Sequence, residues 1–352
     1  ASWLGERVRV RQLSLDWVDQ FPLALTAEAR LSNTGAVLSA LQVTQPLALD
    51  AEGRYGYDGE FAADLAWQNA RWPLTGDAAP QASSEAGTLR VAGRPEAYTV
   101  ALDADLATAD QAGRAALEAS GSLEHFAIAR LDIEALGGRA AAAGRVQWTP
   151  ALTVDIEATL DNLNPGVLVP DAPGRINGRM TATGGLDADN PLQFSADITD
   201  SMLRDQPFAL SAAGGWDQTR EQLTVQRARL SQGVTELNAS GQAWPELDLK
   251  ADLRSDDLST LLPELAGTLQ LDATLTGAPT LPAVSATARG SRLGWADVVE
   301  IDALSLNTRF DPDGTLALSL NLGGIDGPTA LNTVALAIWP ETSRASTVPQ
   351  PR

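Results

Sequence analysis

A period of two constrains this chain more than any other feature. Leu152, Val154, Ile156, Ala158 and Leu160 share one parity, while Thr153, Asp155, Glu157 and Thr159 hold the other. Successive side chains of a strand point to opposite faces, so this spacing places apolar groups on one side and water-facing groups on the other. The alternation recurs over 23–31, 176–182, 192–198, 208–212, 247–253, 269–275 and 316–322, between turn clusters such as Asn164-Pro165-Gly166 and Asp311-Pro312-Asp313-Gly314. The expected fold class is all-β: an elongated, curved antiparallel sheet of roughly twenty strands. Helical spacing survives only over 163–168 and 258–262, where Asn or Asp stands ready to cap a single turn between strands.

A longer period underlies the alternation. The run Gly144-Arg145-Val146-Gln147-Trp148-Thr149-Pro150 has a counterpart in Gly241-Gln242-Ala243-Trp244-Pro245, and each leads into an alternating strand, a Leu- and Pro-containing bend and a further strand. Trp148 and Trp244 lie 96 positions apart, and Trp339-Pro340 begins a third copy. Units of about 95 residues starting near 144, 241 and 335 mark a structure that grows along one axis instead of closing round one core. Residues 1–341 are therefore expected to form one elongated β-segment with a loop insert at 75–86. The Ser/Thr/Pro-rich residues 342–352 read as a linker.

Composition removes several functions. With no cysteine and a single histidine, thiol, iron–sulfur and histidine-built metal chemistry have no residues to work with, and no metal or cofactor is expected. A net charge of −20, with Lys250 the only lysine, repels phosphates, so nucleic acid is not an expected partner. The longest charge-free run, 31–49, is interrupted by polar residues and Pro46, so no transmembrane helix is expected. The N-terminal residues lack a basic start before an apolar core, which places any signal or anchor outside this sequence.

Only 5% of the residues are aromatic, and small residues occupy inward positions over 140–143, 212–215 and 283–288. Two packed sheets need bulky residues to fill a gap of about 10 Å, so this lining suits an open U-shaped trough, a β-taco. Its expected lining comprises Leu152, Val154, Ile156, Leu160, Ile176, Met180, Leu192, Phe194, Ile198, Phe208 and Leu210, continuing through Leu237, Leu247, Leu249, Leu253, Leu269, Leu271, Leu275, Val284, Leu316, Leu318 and Leu320. An exposed apolar face of that length demands an occupant. Acyl chains fit: at about 0.8 kcal/mol per CH₂, a sixteen-carbon tail in water costs on the order of 12 kcal/mol, which a dry trough removes. The expected activity is non-enzymatic passage of phospholipid. The alternatives are a scaffold that offers sheet edges to unfolded strands and a filled β-rod without cargo.

The ordered series Trp67-Gln68-Asn69-Ala70-Arg71-Trp72-Pro73-Leu74, 87–93, 98–102, 144–152, Leu163-Asn164-Pro165-Gly166 and 173–178 resembles the TamB-type translocation and assembly module proteins of the AsmA-like superfamily. The resemblance covers most of the chain. It implies a bacterial envelope protein anchored in the inner membrane, crossing the periplasm as a β-taco, bridging phospholipids between membranes and meeting an Omp85-type outer-membrane partner. It carries over no catalytic residue.

Other conspicuous residues have ordinary readings. The Trp-Pro steps at Trp72, Trp148 with Pro150, Trp244 and Trp339 read as strand ends, with a headgroup-anchoring role for indole as the alternative. His125, beside Ser120 and Ser122, lacks a nucleophile elbow and reads as an exposed strand residue. Asp103 with Asp105, Asp187 with Asp189, and Asp311 with Asp313 read as turn chemistry, since no twelve-residue calcium loop follows. Glu236 and Glu246 are two of many acids on the polar parity and make no glycosidase dyad. The glycine pairs at 137–138, 184–185, 214–215 and 323–324 read as turns or bulges that bend the sheet.

Overall fold

The computed structural model describes residues 7–14, 24–45, 47–73, 82–108, 111–187, 190–295 and 298–326. Within them the alternating segments become 21 strands. The first eleven are β1 (Arg7–Ser14), β2 (Ala24–Leu31), β3 (Gly35–Gln45), β4 (Ala48–Gly56), β5 (Phe61–Trp72), β6 (Ala82–Arg94), β7 (Ala97–Ala107), β8 (Ala112–Gly121), β9 (His125–Ala135), β10 (Gly138–Gln147) and β11 (Thr153–Leu163). There follow β12 (Gly174–Asp187), β13 (Asn190–Leu203), β14 (Gln206–Asp217), β15 (Gln222–Gln232), β16 (Thr235–Trp244), β17 (Leu247–Ser255), β18 (Leu265–Gly277), β19 (Ala283–Trp295), β20 (Val299–Phe310) and β21 (Leu316–Asp326).

Each strand pairs antiparallel with the next in sequence, from β1 with β2 to β20 with β21. The result is one meandering sheet, elongated, curved and open, in which β1 and β21 are not paired with each other. Short hairpin turns allow this order, because antiparallel neighbours need no crossover. The two helical spacings resolve into single 3-10 turns at Pro165–Val167 and Leu258–Thr260, and both candidate caps act: Asn164 accepts from the Gly166 N–H and Asp257 from the Ser259 N–H, each at 3.0 Å.

The sheet has no conventional core. Among the described residues the only buried hydrophobic side chains are Ala104, Ala115, Ala119, Ile198, Leu258 and Ala288. Most apolar-parity residues are half-buried, as expected of a face that folds towards itself without an opposing layer. On the other face, cross-strand ion pairs such as Arg179–Glu157 (3.1 Å), Arg114–Asp103 (2.8 Å) and Arg229–Glu236 (2.9 Å) face water. Exposed pairs of this kind contribute about 0–1 kcal/mol each.

Two expectations need adjustment. Ala82 to Ala86, assigned to a loop insert, begin β6, where the Trp67 indole N–H donates to Ser84 Oγ at 2.8 Å and holds the segment against β5. The rest of that insert that is not described, the third repeat copy and the 342–352 tail lie outside the described residues. Leu152 sits in the turn before β11, not in the strand, and is 36% exposed.

Twenty inter-strand steps of about 4.8 Å amount to roughly 100 Å. A compact chain of this length has a radius of gyration of about 20 Å. Small-angle scattering is expected to give a value nearer 30 Å, and a value at the compact figure contradicts the open sheet.

Candidate functional site

Residues paired directly across antiparallel strands share a face, so the ladder registers trace that face residue by residue. One row runs Ala142, Ala158, Met180, Ala196, Ala212, Ala228, Ala239, Ala251, Ala273 and Ala286, each paired with the next from β10 to β19. Beside it runs a bulkier row: Ile198, Leu210, Leu230, Leu237, Leu253, Leu271, Ala288, Leu306 and Leu320. On its other side lie Ile156, Ala182, Phe194, Gly214, Val225, Gly241, Leu249, Leu275, Val284, Phe310 and Leu316. Small side chains thus occupy the middle of the strands and larger ones flank them.

The sequence-expected lining residues within strands all fall on this one face. Val154, Leu160, Ile176, Met180, Leu192, Phe208, Leu247, Leu269 and Leu318 join it through the same ladders. Their exposure is graded: Ile198 is 5% exposed, whereas Leu316 on the last described strand is 53% exposed because one flank has no neighbour. The face extends well beyond the residues singled out from sequence. From β3 to β9 the middle row becomes Leu41, Ala51, Leu65, Leu89, Leu102, Leu117 and Leu131. The signal for these residues was the same alternation; only the register reveals that they continue the same row.

Three aromatic side chains on this face lie over a glycine of the next strand: Trp67 over Gly87, Tyr98 over Gly121 and Phe194 over Gly214. A Cβ at Gly214 would sit 2.6 Å from Phe194 Cζ, so the ring needs the missing side chain in order to lie flat. This geometry keeps these three rings from filling the space above the sheet. No buried side-chain nitrogen or oxygen is left without a partner among the described residues.

The turns form two rims. The even rim holds the turns that follow even-numbered strands, and the odd rim holds the others. Trp148 and the strand-terminal Trp216 and Trp244 lie on the even rim; Trp72 and Trp295, also strand-terminal, lie on the odd rim. Placement at strand ends agrees with the ordinary reading of the Trp-Pro steps.

A concavity of about 890 Å³ across β3 to β10 is lined by charged-parity residues such as Asp64, Arg90, Asp103 and Arg114, together with members of the middle row such as Leu65, Leu89 and Leu102. Strand twist makes an open sheet saddle-shaped, so each face is concave along a different direction. The acids and bases there largely pair with one another. Asp132 bonds both Arg139 and Arg130, and Asp64 bonds Arg90. Arg139 first, then Arg130, hold the Asp132 carboxyl below the ordinary carboxylate range, against a partial burial that acts in the other direction.

Of the remaining singled-out polar residues, Ser122 and Asp313 serve turns, whereas Asp103 and Asp105, expected in a turn, lie inside β7, where Asp103 pairs across the strands with Arg114. Ser122 Oγ lies 2.9 Å from His125 Nδ1 and accepts from the Glu124 and His125 backbone N–H groups. His125 is half-buried by this turn, not exposed as its position suggested. Asp311 pairs with Arg309, Asp313 accepts from the Thr315 N–H at 2.8 Å, and Glu236 pairs with Arg229. Among the described residues no group of three His, Cys, Asp or Glu side chains converges as a metal site, and no helix is long and apolar enough to cross a membrane.

Comparison with known proteins follows the same outline. The family profile described as "TamB, N-terminal domain" matches residues 8–329. A curated relative, the "Translocation and assembly module subunit TamB" of Haemophilus influenzae, is 27% identical over 202 residues, covering 55% of this chain and 15% of that protein. The chain thus spans about a seventh of that relative's length. No solved structure matches.

The depressed Asp132 carboxyl contributes stability that is present above the unfolded-state pKa of about 4 and is lost as pH falls below it. The urea midpoint is expected to drop between about pH 6 and pH 3, and Asp132→Asn is expected to flatten that drop. An unchanged pH profile in the variant contradicts the role of this pair.

Proposed function

Because the chain belongs to the TamB N-terminal domain family, we propose that it is a non-enzymatic segment of a bridge that shields phospholipid acyl chains on its apolar face between the inner and outer membranes. In this reading it works in the periplasm, as part of a protein anchored in the inner membrane. The whole protein meets an Omp85-type outer-membrane partner, in keeping with the "translocation and assembly module" named in its relative.

The observation that carries the reading is the chemistry of the continuous face. The ladders use the backbone N–H and C=O groups of the interior strands, so the face presents aliphatic side chains and almost no hydrogen-bonding group. A polypeptide laid there would leave its own amides unpaired, at roughly 2–7 kcal/mol for each one desolvated. A hydrocarbon chain loses nothing. Because neighbouring positions along the alanine row are nearly alike, a bound tail meets little variation in energy from strand to strand and slides.

The rival readings fit less well. A strand-offering scaffold needs free edges, yet among the described residues only β1 and β21 lack a second neighbour. A filled rod needs a buried interior, which the short roll of buried side chains does not supply.

Leu271→Arg and Ile156→Arg place a guanidinium on the face without a designed partner. Phospholipid co-purifying with the chain, measured by extraction and mass spectrometry, is expected to fall about tenfold, equivalent to ~1.4 kcal/mol of binding. Far-UV circular dichroism is expected to stay unchanged. Wild-type lipid content in both folded variants overturns the reading.

A further inference from the structure

The two rims are built differently between β11 and β18. On the odd rim, successive loops are tied to one another. Asn164 N–H donates to Leu136 O at 2.9 Å, and Gly233 N–H to Pro207 O at 2.9 Å. Arg204, in the turn after β13, reaches both 3-10 loops: its backbone N–H donates to Pro173 O and its Nε to Asp171 O, each at 2.7 Å, while a further guanidinium N–H donates to Leu261 O. Gln232 Nε2 donates to Thr260 O at 2.9 Å, and Thr235 Oγ1 lies 3.0 Å from Thr260 Oγ1 and 2.6 Å from Ser255 Oγ.

This network lies on the apolar face itself. Gln232, Thr235 and Ser255 pair across the ladder and continue the face to its odd end, and they are 5%, 0% and 2% exposed. The loop carrying Thr260 therefore folds over the odd end of the strands as a lip. Replacing these bonds with water requires lifting a whole loop, since buried hydroxyl and amide groups cannot stay unpaired.

The even rim has no such lip among its described residues. Nearer the N-terminus its turns are also tied to one another, as by Trp148 N–H to Glu124 O and Tyr57 N–H to Thr34 O, each at 2.9 Å, but from β12 to β18 its described turn bonds stay within single turns, as with Trp216 Nε1 to Gln218 Oε1 and Arg220 to Asp217, apart from the side-chain bond of Gln222 to Gln242 between neighbouring strand ends. Here the face ends in a cross-strand ladder of Leu192, Trp216, Leu223 and Trp244, and Trp244 is 47% exposed. Exposed apolar tips alone do not distinguish the rims, because Val234 and Leu262 on the odd rim are also exposed. The hydrogen-bonded lip does.

We propose that the even rim, along Leu192, Trp216, Leu223 and Trp244, is the side across which an acyl chain enters or leaves the face laterally, while the Arg204–Thr235–Thr260 lip keeps the odd rim shut. This rests on the acyl-chain reading above. Indoles stand on both rims, with Trp72 and Trp295 on the odd one 60% and 61% exposed, so the lip and not the indole assigns the side.

The test uses the intact chain mixed with unilamellar phosphatidylethanolamine/phosphatidylglycerol vesicles that contain a phospholipid with a diazirine in its acyl chain. Flash illumination at increasing times is followed by mass-spectrometric mapping of adducts. Adducts are expected first at Trp216, Leu223 and Trp244, then along Ala212, Ala228 and Ala239, with Val234 and Leu262 several-fold lower. Arg204→Ala combined with Thr260→Val, checked by circular dichroism, is expected to raise early adducts on the odd rim. Early labelling that is equal on both rims, or greater on the odd rim of the unmodified chain, overturns the proposal. So does a folded double variant with an unchanged pattern. Absence of adducts anywhere on the face overturns the acyl-chain reading itself and is distinguishable from either result.

Discussion

The inter-strand hydrogen-bond ladder is the constraint on which everything else depends, because it satisfies backbone polarity entirely between sequence neighbours. From β2 to β20 each strand spends both edges on the strands before and after it. Pairing of this kind needs no distant contact to close it, so the sheet extends strand by strand with energetics set by adjacent units, as in solenoids. A consequence is that one face has no opposing layer. The side chains that would form a core in a sandwich instead form the wall of a groove.

Small residues decide what that wall can do. The alanine row from Ala142 to Ala286 lies along mid-strand positions, with Leu and Phe flanking it. Three of the aromatics on the face fold down over glycines, as Phe194 does over Gly214 and Trp67 over Gly87. Space above the sheet is therefore kept free by the same positions that a close-packed core would fill with Leu or Ile. The charged face balances this, with pairs such as Arg114–Asp103 keeping the outer surface wet.

The rims add an asymmetry that the faces lack. Two 3-10 turns, on loops six strands apart, both lie on the odd rim, and Arg204 connects their loops by donating to carbonyls of each. Arg204 itself holds a positive φ of 52° in the hairpin turn, with Asp205 at 59°. That left-handed geometry is uncommon for residues other than glycine. Three acceptors around Arg204 supply the compensation, and the turn in turn aims the guanidinium along the rim.

Strand identity, fold class and the apolar parity were legible from residues such as Val154, Ile156 and Leu271, because alternation is a property of each strand alone and survives whatever the neighbours do. The capped turns at Asn164 and Asp257 were legible for the same reason, being local. Which residues share a row was not: the bulges between Leu160 and Leu163, or Val225 and Ala228, shift the register by one, and only the paired structure shows that Ala228 meets Ala239. The half-burial of His125 depends on the Ser122 turn and so escapes the strand pattern, and the lip of Arg204, Thr235 and Thr260 was invisible because the groups it joins are distant in sequence, Arg204 and Leu261 being 57 positions apart. Sequence alone therefore determined that this chain makes a one-faced, open β-sheet, since period and turn chemistry act within a few residues. Tertiary structure alone decided which side of that sheet is sealed, because loop-to-loop hydrogen bonds form only once the strands between them are laid side by side.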